Sequence, residues 1–254
     1  MRTKLIVANW KMNNTVPEGL KLLAALSREV RETKECEVVF CPPFTALFAM
    51  SEAIEETPFK MGAQNMHWEE SGAYTGEISP LFLKDLNVQY VLLGHSERRQ
   101  LFGETDIMVN KKLSQAIRQK LIPIVCVGET EKEHKEGTTF DVIDLQIKKA
   151  LDGQQKTELA GIVWAYEPVW AIGTGKNATP EQAQEVIQAM RKSLAKITDV
   201  PTAESMRILY GGSVSDEKAK GFLKQPDIDG LLVGGASLIP QKFAAIIRAT
   251  EAPQ

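Results

Sequence analysis

The sequence predicts an α/β protein folded as a closed eight-stranded parallel (β/α)8 barrel. Two observations carry this. Short apolar runs recur eight times, and amphipathic stretches with apolar residues three and four apart lie between most of them. No long low-complexity linker interrupts the alternation, and 254 residues is a size that one such barrel fills, so residues 1–254 are read as a single domain. Alternation alone also allows an open doubly wound sheet. The strand count favours closure, and no Gly-x-Gly-x-x-Gly follows the first run to suggest a dinucleotide site.

The runs are Leu5–Trp10, Val38–Cys41, Phe59–Gln64, Tyr90–Gly94, Ile122–Gly128, Ile162–Glu167, Arg207–Tyr210 and Gly230–Gly234. Leu20, Leu22, Leu23 and Leu26 mark the first intervening helix; Val109, Leu113, Ile117 and Leu121 mark a later one. Thr179-Pro180-Glu181 reads as a helix start, with a capping hydroxyl and a proline at the first helical position, continued by Val186, Met190 and Leu194.

Composition excludes several classes of function. The 30 basic residues against 33 acidic ones, with no basic block, argue against nucleic acid or an anionic membrane as partner. Cys36, Cys41 and Cys126 are an odd set, which argues against a disulfide framework and for a reducing compartment. No apolar run approaches the roughly 18 residues of a membrane span. The N-terminus enters a strand directly, without a signal-like segment, so a soluble, cytoplasmic protein is expected. His67 and His134 lie in polar stretches without metal-ligand spacing, and no metal site is expected.

In a (β/α)8 barrel the site forms at the C-terminal ends of the strands. The most informative end is Ala165-Tyr166-Glu167-Pro168-Val169-Trp170-Ala171-Ile172-Gly173-Thr174-Gly175-Lys176. Pro168 keeps Glu167 extended, and strand alternation places Glu167 on the face of Ala165 and Val163. An apolar loop bounded by proline and glycine follows. This segment fits a base beside a hinged flap that excludes water, and equally a surface Glu followed by a packed loop. The first strand delivers Asn9 and Lys11, two apart and hence on one face, although a lone lysine at a strand end ordinarily reaches solvent. The fourth delivers His95 at the mouth of a polar helix start, whose dipole opposes the cationic imidazole; a satisfied structural histidine is the alternative. The last two strands end in Tyr210-Gly211-Gly212-Ser213-Val214 and Val233-Gly234-Gly235-Ala236-Ser237. Paired glycines let backbone N–H groups approach an anion closely, and barrels often bind phosphate with these two loops.

Asn9-Trp10-Lys11, Gly94-His95-Ser96-Glu97-Arg98-Arg99, Ala165 through Gly175 and Tyr210-Gly211-Gly212-Ser213-Val214 resemble the triosephosphate isomerase family, from Leu5 to about Ala249. The loop Gln64–Glu77 resembles that family's interdigitating dimer loop. The resemblance implies a TIM barrel that interconverts dihydroxyacetone phosphate and D-glyceraldehyde 3-phosphate in glycolysis and gluconeogenesis, without a cofactor. It implies catalysis by Lys11, His95, Glu97 and Glu167; the pairing of a carboxylate base with a neutral histidine is the family's known chemistry. Asn9 and Lys11 would hold the substrate, and Gly173, Ser213, Gly234 and Gly235 its phosphate through backbone N–H groups. Glu97 would orient Lys11 or relay protons. Residues 168–176 would close as a lid. A homodimer is implied, with Thr75 reaching Asn9 and His95 of a neighbouring subunit. Two other classes share some of these features: a phosphate-binding lyase using Lys11 as a Schiff-base nucleophile, and a barrel that binds phosphate without turnover.

Overall fold

Each of the eight apolar runs forms a strand, and the strands close in sequence order. They are β1 (Lys4–Asn9), β2 (Cys36–Cys41), β3 (Lys60–Ala63), β4 (Tyr90–Leu93), β5 (Ile122–Val127), β6 (Val163–Tyr166), β7 (Ile208–Tyr210) and β8 (Gly230–Val233). All pairings are parallel, and β1 bonds to both β2 and β8, so the sheet is a closed barrel. This computed structural model describes residues 2–30, 36–171 and 178–251. Of the segment 168–176 expected to act as a lid, residues 172–176, Gly173 among them, lie outside the described residues.

The helices wrap the outside. In chain order they are α1 (Val16–Glu29), α2 (Leu47–Ile54), α3 (Pro80–Asp85), α4 (Ser96–Leu101), α5 (Asp106–Arg118) and α6 (Glu131–Lys135). They continue with α7 (Thr139–Leu151), α8 (Pro180–Ile197), α9 (Val200–Ser205), α10 (Asp216–Leu223) and α11 (Pro240–Arg248). The expected start of α8 is present: Thr179 Oγ1 accepts from the Gln182 N–H at 3.2 Å, and Gln182 Oε1 accepts from the Thr179 N–H at 2.9 Å. This reciprocal cap satisfies two otherwise orphaned donors. None of the helices among the described residues is long and apolar enough to cross a membrane.

Strand periodicity divides the core in two. Leu5, Val7, Val39, Leu92, Ile124, Cys126, Val163, Ala165, Leu209 and Leu232 fill the barrel interior. The alternate residues, such as Ile6, Ala8, Phe40, Trp164 and Tyr210, face the helices. Strands covered on both sides must be apolar throughout, which is why the sequence reads as solid runs. All three cysteines are buried and unpaired by disulfides.

Closure leaves no room for a side chain at Gly230. A Cβ at Gly230 would stand 1.8 Å from the Leu5 carbonyl oxygen, across the β8–β1 seam. Gly230→Ala is therefore expected to lower stability by at least about 2 kcal/mol, read as a fall in the urea midpoint at unchanged m-value. A midpoint equal to wild type would show that the seam has slack.

Candidate active site

Lys11 reaches the site by a route that alternation does not describe. Strand β1 stops at Asn9, Trp10 turns into the core, and Lys11 adopts a left-handed φ of 53°. That conformation costs a non-glycine residue about 1–2 kcal/mol, so something must hold it. The Lys11 N–H donates to Asn9 Oδ1 at 3.0 Å, and the Gln64 amide donates to the carbonyls of Lys11 and Cys41 at 2.7 and 2.9 Å. The ammonium then meets Glu97 Oε1 at 2.6 Å. Gln64, noted in the sequence only as the start of a loop, is thus a clamp on the Lys11 backbone.

His95 sits at the N-cap of α4, just beyond β4. Its Nδ1 accepts from the Glu97 N–H at 3.3 Å, which leaves Nε2 to carry the proton of a neutral ring. Glu167 follows β6 on the interior-facing register, its side chain only 2% exposed. Oε2 accepts from the Ser96 N–H at 2.7 Å, the first amide of α4. Oε1 lies 2.9 Å from His95 Nε2. The absence of a side chain at Gly211 makes room, since a Cβ there would come 3.0 Å from Glu167 Cγ.

The two side chains shift each other in opposite directions. Burial alone would raise the Glu167 carboxyl; His95, the Ser96 amide and Lys11 outweigh it and hold it below the ordinary carboxylate range. Burial alone would lower His95, but Glu167, with Glu97, raises it while the pair stays in contact.

Asn9, Lys11, His95, Ser213, Gly234 and Gly235 border one cavity of about 460 Å³, together with Glu97 and Val169. Gly234 stands where a Cβ would be 3.4 Å from Lys11 Cε, and Gly235 begins a short 3-10 turn to Leu238. Thr75 is elsewhere, on the exposed tip 71–77 of the loop after β3. That loop is pinned at its base by the His67 N–H donating to the Ile78 carbonyl at 2.8 Å and by the Ser79 hydroxyl donating to the Glu70 carbonyl at 2.6 Å.

Two histidines expected in polar surroundings are stacked on aromatic rings instead. His67 packs on Trp68 and Tyr74 at centroid distances of 4.2 and 4.4 Å, and His134 on Trp170 at 4.3 Å. Trp170 is accordingly not left to water: its Nε1 donates to Glu129 Oε1 at 2.7 Å, and the same oxygen accepts from the Tyr166 hydroxyl at 3.1 Å. Glu129 gave no signal in the sequence beyond its place after β5.

A family model for triosephosphate isomerase matches residues 4–250. The chain belongs to the triosephosphate isomerase family. It is 52% identical over 248 residues to the triosephosphate isomerase of Dictyoglomus turgidum, covering 98% of this chain and all of that one. The enzyme of Caldanaerobacter subterraneus subsp. tengcongensis is 52% identical over 247 residues, covering 97% and 99% of the two chains. That of Clostridium novyi is 51% identical over 247 residues, covering 97% and 98%. The resemblance stated from the motifs is thereby borne out, as are the closed barrel and the isomerase class. Triosephosphate isomerases are glycolytic enzymes, and their substrate is a small phosphorylated molecule.

Proposed function

We propose that this chain interconverts dihydroxyacetone phosphate and D-glyceraldehyde 3-phosphate with Glu167 as the base that moves a proton between adjacent carbons. The observation that carries the reading is Glu167 Oε1: a buried carboxylate oxygen 2.9 Å from His95 Nε2, so that the base and the hydrogen-bond donor face one point. A substrate that enters between the two meets an oxygen able to take a carbon-bound proton. Negative charge then develops on the substrate oxygens, where neutral His95 and Asn9 donate hydrogen bonds and Lys11 supplies fixed positive charge. A substrate between Glu167 and His95 breaks the contact that raises the histidine, leaving burial and the N-terminus of α4 to keep it neutral. Glu97 orients Lys11, in keeping with their 2.6 Å contact. Ser213, Gly234 and Gly235 bind the phosphate, with Gly173 from the lid, and closure of residues 168–176 keeps water from the enediolate. The proton never becomes a hydride, so no cofactor enters. The protein works as one barrel domain, in the cytoplasm.

A coupled assay with either triose phosphate tests the reading directly; turnover is expected in both directions. Phosphate binding without turnover would leave a binding protein. Borohydride trapping of substrate on Lys11 would favour the Schiff-base lyase, and none is expected.

The working form is a symmetric homodimer in which Thr75 approaches Asn9 and His95 of the neighbouring subunit. Two features support it: the loop tip stands out from a pinned base, and Met12 and Tyr74, in two loops on the site's side of the barrel, are 96% and 44% exposed. Charge reversal at the tip, or its shortening, is expected to give monomers by sedimentation with sharply lower kcat. Fully active monomers would show that each site is complete within one chain.

A further inference from the structure

The base hangs on the end of β6, and what holds that end is not obvious. Strand β4 stops at Leu93, whose partner on β5 is Val125. Beyond that point β5 has no strand on its β4 side, while its other side still serves β6. The Val127 carbonyl accepts from the Glu167 N–H at 2.8 Å, and the Glu129 carbonyl accepts from the Val169 N–H at 3.1 Å. Backbone groups alternate along a strand, so those of Cys126 and Gly128 point to the vacant side. Buried main-chain groups need partners, and here side chains provide them. Arg99 donates to the Cys126 carbonyl at 3.2 Å. Gln146, from the middle of α7, takes both groups of Gly128: its Oε1 accepts from the Gly128 N–H at 2.8 Å, and its Nε2 donates to the Gly128 carbonyl at 3.1 Å.

Gly128 in turn abuts the base. A Cβ there would lie 1.8 Å from the Glu167 carbonyl oxygen and 3.3 Å from its Cα. Gln146 and Glu167 also border a common cavity of about 220 Å³, which shares Ser96, Gln100 and Val169 with the larger cavity lined by Lys11 and His95.

We infer that Gln146 is a positioning residue for the reaction: its carboxamide stands in for the missing strand, fixes Gly128, and through Gly128 fixes the peptide from which the Glu167 carboxylate is aimed. The inference rests on Glu167 being the base. A carboxamide suits the task because it offers one acceptor and one donor in a plane, matching the peptide it grips. Methionine is close in size and offers neither.

The test compares Gln146→Met with Asn110→Leu. Asn110, on α5, donates to the carbonyls of Ala150 and Asp152 at 2.8 and 2.9 Å and so tethers the other end of α7. Its loss loosens the same helix without touching Gly128. In Gln146→Met, kcat is expected to fall at least about tenfold with KM within about twofold, because sub-ångström misplacement of a base is felt in the chemical step. A planar enediolate mimic should lose affinity by a similar factor, while Asn110→Leu keeps kcat within about twofold. Gln146→Glu adds a readout that packing does not move. An ionised carboxylate repels the Gly128 carbonyl, whereas a protonated one restores both bonds, so activity relative to wild type should rise as pH falls from about 8 to about 5.5. A kcat in Gln146→Met within twofold of wild type, equal losses in Gln146→Met and Asn110→Leu, or a flat ratio in Gln146→Glu would each overturn the inference. Near-wild-type turnover in Glu167→Asp would instead remove the base assignment on which it stands.

Discussion

Glu167→Asp is expected to lower kcat by roughly 100-fold while leaving KM within about threefold. The carboxylate is aimed by two contacts, the Ser96 N–H at 2.7 Å and His95 Nε2 at 2.9 Å. One methylene fewer withdraws it by about 1 Å, out of reach of the substrate carbons and of at least one partner, while the phosphate loops are untouched. Steady-state kinetics in both directions, with circular dichroism to confirm the fold, make the measurement. Turnover near wild type would remove Glu167 from the base role. The pH profile gives a second reading. In the free enzyme the contact with Glu167, helped by Glu97, holds His95 above its ordinary value, and the reaction needs that ring neutral. So kcat/KM should fall as pH drops through the raised histidine value while Glu167, held below the ordinary carboxylate range, stays ionised. His95→Gln removes the titrating ring, so this limb should be lost from the pH profile of the residual activity.

The largest stability effect is expected behind His95. Glu104, with a fully buried side chain, accepts from the Gly94 N–H at 2.9 Å, from Arg98 Nε at 2.5 Å and from Lys112 Nζ at 2.9 Å. Lys112, itself only 2% exposed, also donates to Asn65 Oδ1 at 2.8 Å. This chain joins the base of the loop bearing Thr75 to the turn bearing His95. Its partners do not share the gain equally. Glu104 is held below its ordinary value because Lys112 and Arg98 together outweigh burial; Lys112 is lowered because burial outweighs Glu104. Glu104→Ala strands a buried ammonium and the Gly94 amide, and is expected to cost about 3–5 kcal/mol. In a chain of this size that is a fall in Tm of about 10 °C or more. Because the native carboxyl is depressed, its stabilisation is fully present above the ordinary carboxylate value and is lost as pH falls through the depressed one. The Tm gap between wild type and Glu104→Gln should therefore be widest near neutral pH and narrow in acid. A gap that is small and independent of pH would show that the charge of Glu104 contributes nothing.

Sequence and tertiary structure decided different parts of this molecule. The barrel was legible because periodicity is local: a strand covered on both faces is apolar at every position, and eight such runs spaced by amphipathic helices leave few other ways to bury themselves. Glu167 was legible too, since Pro168 enforces extension and the interior register of Val163 and Ala165 fixes which way the side chain faces. The family followed from long motifs in which polar side chains and strand ends coincide. What the sequence left open are contacts between residues far apart in the chain. Lys11 was expected from strand alternation, but a left-handed turn clamped by Gln64, 53 residues later, presents it. Trp170 read as apolar surface in need of a reason; Glu129 and His134, from another loop, had already covered it. Gln146 and Glu104 carry no local signature at all, because a glutamine on a helix or a glutamate in a loop ordinarily faces water. Only the packing of α7 back on the end of β5 brings the first beside Gly128, and only the turn after α4 brings the second beside Gly94, where main-chain groups left unpaired at strand ends need a partner.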